Sequence, residues 1–401
     1  YQRLAMVASF LLAISPWHIH FSRGAWEVNL SLTLTLAGIY FFFRACSPLG
    51  KSLEKPKFLI LSSIFFSSTL LAYQGAKLAT SIVVAILVIL YRKNLLSFDK
   101  KILGRSVALG VIVSLPIIFS LFQGKAGRLE VFSVFSYPRP KEYLENFLTQ
   151  GGEKVGNLSY YLFHSESLNF TRGILGRWFN HFSGRFLFFD GDWQNPRHSA
   201  PNQGVLTHLD LILLIAGFVG LIRFGRKKES MFLWLWLILA PLPAVLSRDQ
   251  VHAVRSYNLV IPLTIVLAFG AYSLYSKYKK LSLIFVLIYI AGYIYFLDSY
   301  FVHLPVHDSK YWEYGYKQIV EAVTPIQDKY ETIKVRQSFA QPYIYFLFYG
   351  VDGSSASKGY DPAKYQKQAK LIDSEYGDVG YVERLDNIYF APIDWAINRG
   401  E

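Results

Sequence analysis

The 401-residue sequence has a single cysteine, Cys46, so no disulfide can form within the chain and a secreted disulfide scaffold is excluded. Charge is scarce too. Asp, Glu, Lys and Arg make up 17% of the residues, against about 25% in ordinary soluble domains. With 52% hydrophobic residues, that shortage points to lipid as the main solvent. The net charge of +13 is not gathered into one nucleic-acid-binding arm, so it is better read as topology. No glycine-rich phosphate loop precedes a helix, which leaves nucleotide-driven pumping unsupported. No Cys/His zinc spacing occurs, and His18 with His20 is too little for a metal site. The chain opens at Tyr1 and enters an apolar run at Leu4 without the basic start and cleavage site of a signal peptide, so upstream sequence is expected to be missing.

A membrane-crossing helix needs ~20 mostly apolar residues. Nine runs qualify as candidates: 4 to 15, 26 to 43, 58 to 73, 78 to 91, 103 to 122, 207 to 222, 231 to 246, 257 to 275 and 281 to 298. Lys and Arg are retained on the cytoplasmic side, and alternate connections are basic: Arg44, Lys51, Lys55 and Lys57; Arg92, Lys93, Lys100 and Lys101; Arg223, Arg226, Lys227 and Lys228; Lys277, Lys279 and Lys280. Parity then sends 16 to 25, 74 to 77, 123 to 206, 247 to 256 and 299 to 401 to the outside. All nine histidines fall on or beside these outer segments.

The expected fold is an all-α polytopic membrane protein. Five runs lie in residues 1–122 and four in 207–298. An aromatic outer loop over 123–206 is expected to form interfacial helices, and residues 299–401 a small extracytoplasmic α/β domain. That domain carries a helical pattern near 310 to 323, a strand-like stretch at 331 to 336, an aromatic helix near 341 to 350 and a strand near 386 to 391.

Polar chemistry concentrates in four places. In SPWHIHFSRGAWEVNL, residues 15 to 30, Arg23 and Glu27 are spaced to share a helix face at the membrane border. Either they form a snorkelling ion pair with Trp17 and Trp26 as belt residues, or Arg23 binds a headgroup-level phosphate while Glu27 orients it or meets the acceptor. In FDGDWQNPRHSAPNQG, residues 189 to 204, Asp190, Asp192, Arg197 and His198 suit a metal or a sugar hydroxyl network, although Gly191, Pro196 and Pro201 describe an ordinary capped loop equally well. In SRDQVHAVRSYN, residues 247 to 258, Arg248, His252 and Arg255 would meet lipid phosphate or simply anchor the helix end. LAYQGAK, residues 71 to 77, adds Tyr73 and Lys77, where the lysine of a hairpin tip can serve solubility alone.

These strings, in this order over residues 1 to about 300, together with HAVRSYNLVIPL, resemble bacterial members of the protein mannosyltransferase and aminoarabinose transferase family, within the GT-C superfamily of membrane glycosyltransferases. The resemblance implies a GT-C-like helix bundle and an enzyme that moves a sugar, with inversion, from a polyprenyl phosphate carrier to an outer protein, lipid or glycan acceptor. It implies that Arg23, Lys77 and Arg255 neutralise the departing phosphate, and that Tyr73, Asp190, Asp192, Arg197, His198 and His252 line the sugar or acceptor pocket. The family's catalytic acid sits in a first outer loop that would precede Tyr1, which leaves Glu27 as the substitute. The expected partners are the lipid-linked sugar, the bilayer and the acceptor, not nucleic acid. No cofactor is required by the sequence, and a divalent cation is compatible with it. A transporter or flippase, or a non-catalytic envelope assembly protein, are the alternatives. The transferase reading expects Arg23, Glu27, Lys77, Arg197, His198 and Arg255 to approach one outer cavity.

Overall fold

The structure, a computed structural model, describes residues 2–46, 54–122, 133–136, 138–223, 227–336, 342–349, 369–372 and 381–394. Lys51, Arg226 and the start of the 123–206 segment therefore lie outside the described residues. The chain divides into two compact units at residue 304, and most of the 123–206 segment packs into the first unit with the apolar helices.

All nine apolar runs are helical. They form α1 (Gln2–Ala13), α3 (Glu27–Cys46), α4 (Lys55–Ala72), α5 (Ala76–Leu96), α6 (Lys100–Phe122), α9 (Asp210–Arg223), α10 (Lys228–Leu239), α11 (Val260–Lys277) and α12 (Ser282–Asp298). Among the described residues, six stretches are long and apolar enough to cross a membrane: Glu27–Cys46, Ala76–Leu96, Lys100–Ser120, Lys228–Val245, Tyr257–Lys277 and Lys279–His307. A seventh is the pair α1 and α2 (Pro16–Arg23), bent by 56°. The bend follows from Pro16, which opens α2 at its first position, where a missing N–H costs nothing.

The other two runs fall short for different reasons. Fourteen residues in α9 rise only ~21 Å, against a hydrocarbon core of ~30 Å. Helix α4 is diluted by Lys55, Lys57 and a set of serines that bond to its neighbours: Ser62 Oγ donates to Gly38 O at 2.9 Å, Ser63 Oγ to Ser106 O at 2.6 Å, and Thr69 shares a hydrogen bond with Thr80 at 2.8 Å. Helices α9 and α11 meet through glycine instead. A Cβ on Gly217 would overlap Val266 O, and one on Gly270 would overlap Leu213 O, so the two backbones touch, the close approach that small residues permit between apolar helices.

Between the spans the first unit carries α7 (Lys141–Gln150) and α8 (Glu166–His181), the latter capped by Ser165 Oγ accepting from Leu168 N. Tyr161, Phe163 and Phe179 are exposed on this stretch. Trp178 Nε1 donates to Ile238 O at 2.8 Å, and Val134 N to Leu246 O at 3.0 Å, which fixes the segment against the end of α10.

The second unit is a four-stranded sheet in the order β1 (Ile333–Arg336), β4 (Ile388–Ala391), β3 (Tyr381–Leu385), β2 (Ala369–Ile372). β1 and β4 are parallel and the other pairs antiparallel. Helices α13 (Tyr316–Val323) and α14 (Tyr343–Tyr349) share its core of Val320, Val335, Phe346, Val382, Leu385, Ile388 and Phe390. The two strands expected from sequence are β1 and β4; β2 and β3 add a pairing that no pattern had marked. The ends of the expected 341 to 350 helix lie outside the described residues.

Candidate functional site

The turn after Phe189 is built around Gly191, whose φ of +62° lies in the left-handed region and whose Cβ would collide with Ser199. The reversal turns two aspartates two residues apart to opposite fates. Asp190 stays exposed and pairs with Arg185 at 2.6 Å, while Arg185 also lies over the Trp193 ring at 4.3 Å.

Asp192 is fully buried, at 0% exposure, and accepts four hydrogen bonds. They come from His198 Nδ1 at 2.8 Å, Ala253 N at 2.7 Å, Asn195 N at 3.2 Å and Asn195 Nδ2 at 3.0 Å. The carboxylate thus joins the 189–204 turn to the segment that precedes α11. It also fixes Nδ1 of His198 as a donor, so that in the neutral ring Nε2 keeps its lone pair. His198 is 2% exposed, and its Nε2 is buried with no hydrogen-bond partner.

Two more imidazoles close the cluster. His181 donates from Nδ1 to Arg177 O at 2.7 Å and accepts at Nε2 from His252 N at 3.2 Å, so both nitrogens are used and the ring is neutral. Burial pushes its pKa down to about 4. His252 is held well below the ordinary histidine range, first by burial and then by Arg255, His198, His181 and Arg197. Its Nδ1 accepts from Arg255 N at 3.2 Å, and its ring centroid is 5.1 Å from that of His198. Among the described residues, Asp192, His198 and His252 form the group whose ligand atoms gather within 4.8 Å of one another.

Cations surround this hub. Arg255 Nη1 donates to Asp249 Oδ2 at 2.6 Å. Arg197 lies over the Trp26 ring at 5.3 Å, its carbonyl accepts from His20 Nε2 at 2.7 Å, and Trp26 in turn meets His198 edge-on at 5.1 Å. Tyr73 is within electrostatic reach of both Arg255 and Glu27: burial raises its pKa to about 12, Arg255 opposes the rise and Glu27 adds to it. Contacts therefore link Asp192, Arg197, His198, His252 and Arg255, and Tyr73 and Glu27 are tied to them through electrostatics alone.

No protein family, curated protein or solved structure matches this chain.

Arg23 lies over Phe301 at 4.7 Å and Tyr300 at 5.3 Å, and Tyr300 meets the His20 ring edge-on at 5.5 Å. It does not share a helix face with Glu27, because Gly24 caps α2 and Ala25 is left-handed at φ 52°, so Arg23 ends one helix and Glu27 begins the next. Lys77 donates to Gln74 Oε1 at 3.4 Å within its own hairpin tip. His181 and Asp249 were not singled out from sequence. For Asp249 the spacing of three and six residues to His252 and Arg255 was an available signal; for His181, 71 residues from His252, nothing local was.

Proposed function

We propose that this chain is a membrane glycosyltransferase that moves a sugar from a polyprenyl phosphate carrier to an acceptor on the non-cytoplasmic side. The observation that carries the reading is the set of contacts holding Arg197 and Arg255 beside the His198 and His252 imidazoles. In inverting transfer the acceptor oxygen or nitrogen forms a bond to the anomeric carbon as the carbon–oxygen bond to phosphate breaks, and the phosphate leaves with the electron pair. Guanidinium groups preset where that charge grows lower the barrier. Arg255 and Arg197 take this role by their place beside the two imidazoles: Arg255 N bonds to His252 Nδ1, and Arg197 lies over the Trp26 ring that meets His198.

Glu27, exposed at the first turn of α3, is the carboxylate left to take the acceptor proton, since Asp192 is filled by four donors and Asp249 by Arg255. A largely apolar cavity of about 600 Å³, lined by Leu36, Ile39, Phe43, Leu233 and Trp236, suits an aliphatic chain. The charges of the spanning helices sit near their ends: Glu27 and Arg44 on α3, Lys77, Arg92 and Lys93 on α5, Lys100, Lys101 and Arg105 on α6, Lys228 and Glu229 on α10, Lys277 on α11 and Asp298 on α12. A translocation path would instead call for ionisable groups near the midplane.

The test is transfer from radiolabelled polyprenyl phosphate sugars in membranes. Arg255→Ala is expected to cut kcat/KM ~100-fold or more, the scale of losing one preset donor to transition-state charge, and Arg23→Ala by far less. Transfer indifferent to Arg255→Ala and Arg197→Ala would remove the phosphate-gripping role.

A further inference from the structure

His198 Nε2 is a polar atom that the fold buries and leaves unused. An unsatisfied buried group of this kind costs about 1–3 kcal/mol, so something outside the chain is expected to meet it. A metal ion would sit ~2.0–2.1 Å from an imidazole nitrogen, and a second imidazole, that of His252, stands beside this one with ring centroids 5.1 Å apart.

We propose that His198 Nε2 and His252 Nε2 bind a divalent transition-metal ion of the zinc class, with Asp192 as the carboxylate that orients His198 from behind. Three observations meet here. The ligand atoms of Asp192, His198 and His252 lie within 4.8 Å of one another, in reach of one ion after a small closure. The Asp192 bond to Nδ1 presents the Nε2 lone pair outward, the carboxylate–histidine pairing that fixes a metal-bound imidazole. Asp192 itself is filled by four donors, which makes it an outer support and not a ligand.

Asp192 and Asp249 offset Arg197 and Arg255, so an added dication makes the site positive and able to take an anion. Ligation at His252 moves its ring proton from Nε2 to Nδ1, which ends the long 3.2 Å bond from Arg255 N and requires the ring to turn away from that N–H. The proposal stands independently of sugar transfer, because its readout is metal content.

The test uses the full chain purified in detergent without chelator, with metal content measured by mass spectrometry and Co²⁺ titrated into the stripped protein. About one ion per chain and tetrahedral cobalt absorption bands are expected. Both are lost in His198→Ala and His252→Ala and kept in His303→Ala. Asp192→Asn keeps the bands but weakens affinity ~10–100-fold, as loss of an orienting partner does. Should His198→Ala fail to fold, His252→Ala carries the test at the second ligand and must lose the bands. Wild type without tetrahedral bands, equal metal in wild type and in either histidine variant, or loss in His303→Ala each overturns the assignment.

Discussion

Asp190 and Asp192 stand on either side of one glycine, yet they belong to different kinds of structure. Asp190 faces outward, with its side chain 46% exposed, and holds one arginine that is itself 58% exposed. Asp192 is sealed, accepts from four donors and joins two segments 61 residues apart. The same carboxylate is ornamental on one side of the turn and structural on the other, because the energy of a charge depends on what replaces its water. The largest effect should therefore come from Asp192→Ala. It strips the partner from His198 Nδ1, Ala253 N and Asn195 in a closed site, and each buried donor left without an acceptor costs about 1–3 kcal/mol. Thermal or denaturant unfolding in detergent measures it. Asp192→Asn, which keeps an acceptor oxygen, should fall between that variant and wild type; a loss under ~1 kcal/mol for Asp192→Ala, the range of a surface pair, would erase the contrast.

A second way to sharpen the contrast is pH, because the buried side of the turn holds neutral imidazoles and the exposed side does not. His181 has a folded pKa of about 4 against an ordinary value near 6.5. The unfolded chain thus binds a proton at a higher pH than the folded chain does. Stability is fully present above pH ~6.5 and declines as pH falls toward ~4, by up to roughly 3 kcal/mol from this one group. His252, depressed in the same direction, adds to the slope. Unfolding midpoints measured between pH 7.5 and 4.5 should drop steeply, and His181→Gln should flatten part of the curve. An unchanged slope in that variant would assign the acid sensitivity elsewhere.

The parts of this architecture that sequence revealed are those set by local pattern. Every apolar run proved helical, since a long stretch of Leu, Ile and Phe needs no partner to be recognised, whereas the 16-residue α8 lies in no such run. Their capacity to span was less legible in α4, where serines that read as dilution are hydrogen bonds to α3 and α6. In the second unit, β1 and β4 showed in their alternation, whereas β3 is held by pairing with strands on both sides. At the site, the strings around Trp26, His198 and His252 were visible, but the separate roles of Asp190 and Asp192 depend on the left-handed Gly191. The Arg23 and Glu27 spacing fitted one helix until Gly24 and Ala25 interrupted it. His181 could not be foreseen, because its partner lies on a segment brought near only by folding.

The smallest expected effect tests the outer face of the turn. The Arg185–Asp190 pair has the short 2.6 Å geometry of a strong ion pair, but both side chains remain about half exposed, where solvent screens the attraction and ordering two side chains offsets it. Arg185 also rests on Trp193 at 4.3 Å, a contact that survives loss of the aspartate. A double-mutant cycle of Asp190→Asn and Arg185→Gln should therefore give a coupling of ~0.2–1 kcal/mol, shrinking as salt is raised. Arg185→Gln alone should cost slightly more than Asp190→Asn, because it also removes the cation from the ring. A coupling above ~2 kcal/mol that resists salt would mean that the outer carboxylate is shielded from water as the inner one is, and the turn would have no solvent-facing side.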